Sequence, residues 1–150
     1  LRLSRGLGDV YKRQTYINGE AEELLPEKKE AFDVVTCLEA IEHVPDPQQL
    51  VKTCSDLCKP GGTIVFSTIN RNPKSFLFAI IGAEYILNLL PKGTHEFKKF
   101  IKPSELSNMM RNSNLEVKEI IGMSYNPLTK KYWLGKDVDV NYLIHAEKSK

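Results

Sequence analysis

The chain has 150 residues, with 21 Lys+Arg against 19 Asp+Glu and a formal net charge of +2. That length suits a single domain, and so even a charge balance excludes a strong general attraction to nucleic acid. Hydrophobic residues at 41% and charged residues at 27% exclude a wholly disordered chain, and three cysteines cannot form the even disulfide framework of a small secreted domain. A reducing compartment follows.

Leu1–Gln14 is basic and lacks the continuous apolar core of a signal peptide. Its Gly6-x-Gly8 has no strand before it and no third glycine after it, so it is no dinucleotide fingerprint. Thr15–Ile17 reads as a short strand, followed by an acidic segment, Glu20–Leu25, that Pro26 ends. Phe32–Cys37 is nearly continuous and β-branched, which predicts a strand buried on both faces of a parallel sheet. Asp46–Cys58 carries Leu50, Val51, Cys54, Leu57 and Cys58 at helical spacing, with Asp46 placed to cap the helix and Pro47 at its first position. Cys54 and Cys58 fall on the apolar face, as buried small hydrophobes rather than a metal or redox pair. Lys59-Pro60-Gly61-Gly62 stops the helix and Thr63–Thr68 is a second β-branched strand, completing a right-handed βαβ unit.

Ser75–Leu90 is an apolar helical stretch closed by Pro91 and Gly93. Glu84 and Asn88 interrupt it, and it falls short of the roughly 20 residues of a transmembrane helix. Phe76, Ile80, Ala83, Leu87 and Leu90 make one stripe, but Leu77, Phe78, Ile81, Tyr85, Ile86 and Leu89 cover much of the remaining circumference. A helix so apolar all round is either deep in a core or set into a lipid surface, where Lys74, Lys92, Lys98, Lys99 and Lys102 would meet anionic headgroups. Pro103–Arg111 is a further helix with Ser104 close to its start. Leu115–Ile121 and Val138–Ala146 are strand candidates forming an antiparallel pair across a turn-rich connection, Tyr125–Lys136. The fold class is therefore α/β, a mostly parallel sheet ending in an antiparallel strand pair.

Ligands in open α/β sheets bind beyond the carboxyl ends of the strands. Two such ends run into Cys37-Leu38-Glu39-Ala40-Ile41-Glu42-His43 and Ser67-Thr68-Ile69-Asn70-Arg71-Asn72, which concentrates two carboxylates, an imidazole, a guanidinium and two amides on one rim. Glu39, Glu42 and His43 stand at i, i+3 and i+4, a shared face if they lie on one helical turn. Three readings stand for them: ligands of one divalent cation, solvated surface charges, or His43 acting as a metal-free general base.

The stretch FDVVTCLEAIEHVPDPQQLV, with KPGGTIVFSTINRNPKSF, AEYILNLLPKGTHEFKKFIKPSEL and GMSYNPLTKKYWLGKDVDVNYLIHAEK, closely resembles the ubiquinone-biosynthesis O-methyltransferases, also called 3-demethylubiquinol 3-O-methyltransferases or 2-polyprenyl-6-hydroxyphenol methylases. The likeness covers about Thr15–Lys148. It implies the C-terminal part of a Rossmann-like class I fold, with Phe32–Cys37 as the family's fourth strand and Thr63–Thr68 as its fifth. It implies methyl transfer from S-adenosylmethionine to a hydroxyl of a polyprenylated catechol or quinol. By position, Leu38, Glu20 and Ala21 match cofactor-lining sites, and Glu39, Glu42 and His43 match the family's trio for Mg²⁺ or another divalent ion. Asn70, Arg71, His95, Tyr125 and Asn126 are candidates for the substrate pocket.

The substrate's tail gives the apolar helix a role. An insertion over about 75–93, with Phe76, Phe78, Ile80 and Ile81 in contact with lipid, would let the enzyme take its substrate from the bilayer. The expected location is then cytoplasmic and peripheral at a bacterial inner membrane, or on the matrix side in a mitochondrion, within a ubiquinone-biosynthesis protein assembly. Leu1–Gln14 does not match the family and is expected to be an unrelated leader, with 15–150 a partial methyltransferase domain. The family's glycine loop and ribose-binding acid are not in this stretch, which predicts an open sheet edge and weak S-adenosylmethionine binding by the polypeptide alone. Two alternatives remain: a class I methyltransferase for another small acceptor, and a non-catalytic lipid- or prenyl-binding module.

Overall fold

The computed structural model describes residues 14–77, 96–126 and 129–150. The leader through residue 13, most of the stretch expected to be an apolar helix, with Phe78, Ile80 and Ile81, and His95 lie outside the described residues. Five strands, β1 (Phe32–Leu38), β2 (Cys58–Ile69), β3 (Leu115–Asn126), β4 (Lys131–Gly135) and β5 (Asn141–Lys148), and two helices, α1 (Pro47–Leu57) and α2 (Pro103–Arg111), form the body. The sheet order is β1-β2-β5-β3-β4. β1 and β2 are parallel, whereas β2–β5, β5–β3 and β3–β4 are antiparallel.

The predicted βαβ unit is present. Asp46 caps α1 by accepting the Gln49 amide at 3.0 Å, with Pro47 at the first turn. Val51 and Cys54 then face the sheet, in one core cluster with Ile64 and Phe66 of β2, and Leu57 is buried as well. Cys54 and Cys58 are buried and, with Cys37, unbridged. α2 starts where Glu105 accepts the Lys102 amide at 3.0 Å, so Glu105 rather than Ser104 anchors its first turn. Tyr142, Ile144 and Ala146 alternate with half-buried neighbours along β5, the period-2 pattern of a sheet with one face packed on helices.

Four expectations change. β1 is not buried on both faces: Val35 and Cys37 pack on the core, while Phe32, Val34 and Leu38 are exposed on the face that no described element covers. Thr15–Ile17 is not a strand, and Tyr16 and Ile17 are exposed; β-branched residues do not make a strand without a neighbour to pair with. Pro26 does not end the acidic segment but sits inside a helical turn, Leu25–Lys28, that follows a 3-10 turn at Ala21–Leu24. The connection Tyr125–Lys136 contains β4, while the expected antiparallel pairing of the last two strands is present as β3–β5. Among the described residues no helix is long and apolar enough to cross a membrane.

Candidate active site

The rim expected beyond β1 and β2 is assembled, by backbone geometry different from a helical turn. At the end of β1 the chain enters the left-handed region at Glu39 (φ 51°). The Glu39 amide donates to the Ser67 carbonyl at 3.1 Å and to Ser67 Oγ at 3.0 Å, extending the contact between the two strands by one residue. Ile41–His43 follows as a 3-10 turn. Glu39 therefore stands outside the turn that carries Glu42 and His43, and the three do not share one helical face.

Each carboxylate has its own anchor. Ser67 Oγ donates to Glu39 Oε1 at 2.7 Å, and Asn141 Nδ2 donates to Glu39 Oε2 at 3.3 Å. Glu42 is only 2% exposed, and Thr68 Oγ1 donates to its Oε2 at 2.8 Å. Its other oxygen, Oε1, is buried without a hydrogen-bond partner, with His43 Nε2 at 4.0 Å. A buried carboxylate oxygen normally has a partner, and Glu42 is also one of the residues that line a cavity of about 470 Å³.

Glu42, His43, Arg71, Lys98, Phe100 and Met109 are among the residues lining that cavity. Arg71 pairs with Glu105 of α2 and donates to the Lys98 carbonyl at 3.4 Å, which holds the 97–101 segment over the rim. The Ile101 amide donates to the Ile69 carbonyl at 3.1 Å, and the buried Tyr142 hydroxyl donates to the Ile101 carbonyl at 2.8 Å. Burial pushes the Tyr142 phenol well above its ordinary range, keeping it a neutral donor. Phe76, Phe97 and Phe100 form a run of edge-to-face rings at 5.5 and 5.8 Å, leading from an exposed ring to the cavity wall.

Other sequence candidates fall elsewhere. The Asn70 side chain donates to the Val138 carbonyl at 3.0 Å and its amide to the Val140 carbonyl at 2.7 Å, so it braces the β4–β5 loop. Leu38 is exposed at the rim. Glu20 and Ala21 open the 3-10 turn held beside α1 through Thr53 Oγ1 and Glu22 Oε1, 3.1 Å apart. Tyr125 stacks on Tyr132 at 4.5 Å in the β3–β4 hairpin, and Asn126 Oδ1 accepts the Thr129 amide at 3.2 Å. The reading of the sequence did not identify Lys98, Phe100, Ile101, Glu105 and Met109 as pocket walls; only Lys98 carried a signal, and that pointed to lipid headgroups. Among the described residues no group of three His, Cys, Asp or Glu side chains is disposed to hold a metal.

Comparison with known proteins fits this architecture. A family model described as a methyltransferase domain matches residues 6–120. Ubiquinone biosynthesis O-methyltransferase of Marinobacter nauticus is 63% identical over 134 residues, 89% of this chain and 56% of that protein. The protein of the same name from Pseudomonas syringae pv. tomato is 59% identical over 145 residues, 97% of this chain and 60% of the relative. The chain thus spans 56% to 60% of the length of these relatives. Among solved structures, a SAM-dependent methyltransferase of Thermotoga maritima aligns with a TM-score of 0.64 at 26% identity, over 89% of this chain and 63% of that one. An O-methyltransferase family protein from Burkholderia thailandensis aligns at 0.59 and 15% identity, over 95% and 38%, and shows the fold alone.

Proposed function

The chain belongs to the methyltransferase-domain family, and from that premise we propose that it forms the acceptor side of an enzyme that moves a methyl group from S-adenosylmethionine to a hydroxyl of a polyprenylated catechol or quinol in ubiquinone biosynthesis. Identity of 59% to 63% with relatives named for that activity supports the choice of acceptor. The observation that carries the site is the buried, unpartnered Oε1 of Glu42, a residue that lines the cavity behind the rim.

Methyl transfer in line with a sulfonium requires the acceptor oxygen as phenolate, and a phenol with a pKa near 10 is mostly protonated at neutral pH. His43, half exposed at the cavity with its Nε2 4.0 Å from Glu42 Oε1, would take that proton at a ring nitrogen. Leu38 offers exposed apolar surface at the end of β1, fit to lie against the methyl donor, and Glu20 and Ala21 are proposed for its adenine side. Arg71 fixes the cavity wall through Glu105, while the ring run from Phe76 to Phe100 supplies an apolar approach for a prenyl tail. The tail would arrive from a membrane surface gripped by the 75–93 segment, which places the enzyme at the cytoplasmic face of a bacterial inner membrane or its mitochondrial equivalent.

The unpartnered oxygen favours a second reading. Mg²⁺ is commonly held by one or two carboxylates, with water and substrate completing the shell; Glu42 would supply one, the His43 imidazole would turn the preference toward Mn²⁺, Fe²⁺ or Zn²⁺, and Glu39 is held by Ser67 and Asn141. A divalent ion there would favour the deprotonated catechol and orient one oxygen. Electron paramagnetic resonance of Mn²⁺ titrated into the chain tests it: binding lost in Glu42→Ala is expected, and equal binding in that variant removes the metal. The function itself is tested by methyl transfer from S-adenosylmethionine to a panel of acceptors. Preference for a prenylated catechol is expected, and equal turnover of unrelated small acceptors would overturn the choice of substrate.

A further inference from the structure

The β3–β4 hairpin stands at the edge of the sheet opposite β1. Its placement follows from the register. Ile69, the last residue of β2, lies opposite Asn141, and Asn141 lies opposite Met123. β3 continues for three more residues, with Ser124, Tyr125 and Asn126 opposite Trp133, Tyr132 and Lys131. At about 3.3 Å per residue the hairpin end stands roughly 10 Å beyond the strand ends that carry the active-site rim.

That projecting edge is unusually apolar for a surface. Tyr132 is 68% exposed, Trp133 52% and Leu134 59%, on three consecutive residues of an edge strand. Alternation sends Trp133 to one face and Tyr132 and Leu134 to the other, so neither face is sheltered. Residues 122–136 hold three lysines, Lys130, Lys131 and Lys136, and no Asp or Glu. Aromatic rings flanked by lysines on a protruding edge match the two demands of an anionic membrane interface, amphipathic rings at headgroup depth and cations against lipid phosphates. An open strand edge cannot enter the hydrocarbon region, where its backbone groups would lack partners, which sets the depth at the hydrated headgroup layer. A second copy fits less well, because pairing two hairpins would bring two groups of three lysines together.

We propose that the β3–β4 hairpin is a lipid-contacting element, inserting Tyr132, Trp133 and Leu134 at the headgroup layer of an anionic membrane with Lys130, Lys131 and Lys136 on the phosphates. This contact is separate from the apolar segment after Phe76 and independent of the methyl-transfer reading. Trp133 is the chain's one tryptophan, so its fluorescence reports on the hairpin alone. With vesicles of phosphatidylglycerol and phosphatidylcholine, its emission should shift to the blue and be largely quenched by brominated acyl chains. Pure phosphatidylcholine should act far more weakly. Replacing all three lysines by Gln should weaken binding roughly a hundredfold, at about 1 kcal/mol per cation. Co-sedimentation with vesicles while Trp133 emission stays unchanged would assign lipid contact to another segment and overturn the proposal. A blue shift that depends on protein concentration without vesicles would show a second copy on the hairpin and overturn it equally, as would no response to vesicles at all.

Discussion

At the scale of single residues, the site depends on how the exposed carboxylate of Glu39 and the buried carboxylate of Glu42 are satisfied. Thr68 is fully buried and supplies the hydrogen bond at 2.8 Å that Glu42 accepts. Thr68→Val keeps the shape and removes the donor, leaving a buried carboxylate with both oxygens short of partners. The expected cost is about 1–3 kcal/mol, since an unsatisfied buried group loses its full desolvation energy. Replacing both partners, as in Thr68→Val with Glu42→Leu, should recover most of that loss. Urea denaturation checks both variants, and a single-variant cost below roughly 0.5 kcal/mol, the range of ordinary surface changes, would mean the bond does not hold the carboxylate. The sequence made Glu39, Glu42 and His43 visible as a cluster because acids and an imidazole beyond an apolar strand are conspicuous. It could not set their geometry. The left-handed turn at Glu39 is fixed by Ser67, 28 residues away, and spacing along the chain carries no information about such a bond.

At the scale of elements, the start of α1 and the centres of β1 and β2 were legible because they rest on local chemistry: Asp46 and Pro47 start α1, and β-branched runs make β1 and β2. The junction was not, because β2 begins at Cys58 and takes Lys59-Pro60-Gly61-Gly62 into the strand rather than leaving it as a stop before Thr63. β4 was not legible, since a strand of Lys, aromatic, Leu and Gly between turn residues gains its state only by pairing with β3. The loop from β4 to β5 was equally opaque, and it is held by the segment after β2. Lys74 bonds Asp137 at 2.8 Å and Asp139 at 2.9 Å, and Asn72 Nδ2 donates to the Asp139 carbonyl at 2.6 Å. The hydrogen bond from Lys74, with a smaller contribution from the Asp139 amide, holds the Asp137 carboxyl below the ordinary carboxylate value. A carboxyl whose folded pKa is depressed stabilises the fold above its unfolded value and loses that contribution as pH falls through the folded value. The latch should therefore hold at neutral pH and loosen in acid. Lys74→Gln should move the Asp137 titration upward and bring the loosening to a higher pH. Carboxyl chemical shifts and amide exchange across 137–140 measure both; an Asp137 titration unmoved in Lys74→Gln would assign the depression to the Asp139 amide instead.

At the scale of the whole molecule, the sheet has two unlike faces, and this decides how the polypeptide behaves in solution. α1 and α2 cover one face, where Val35, Ile64, Phe66, Tyr142 and Ile144 pack together. The residue pattern of β1 suggested burial on both sides; that does not hold for the described sheet, because a continuous apolar strand records that both faces prefer cover without recording what supplies it. Phe32, Val34 and Leu38 instead face outward along an edge strand. An exposed apolar strand at an edge is prone to intermolecular pairing. Val34, 57% exposed, is the place to test this without disturbing the core. Val34→Lys puts a charge on the open face and should lower light scattering at high protein concentration, with circular dichroism and the urea midpoint nearly unchanged. Val35→Lys, one residue along, points its charge into the helix-covered face, where an unpaired ammonium costs several kcal/mol, and should unfold the chain. Equal scattering from wild type and Val34→Lys would show that the β1 face does not drive association, whereas opposite outcomes for these adjacent residues would demonstrate that the fold is closed on one side of β1 and open on the other.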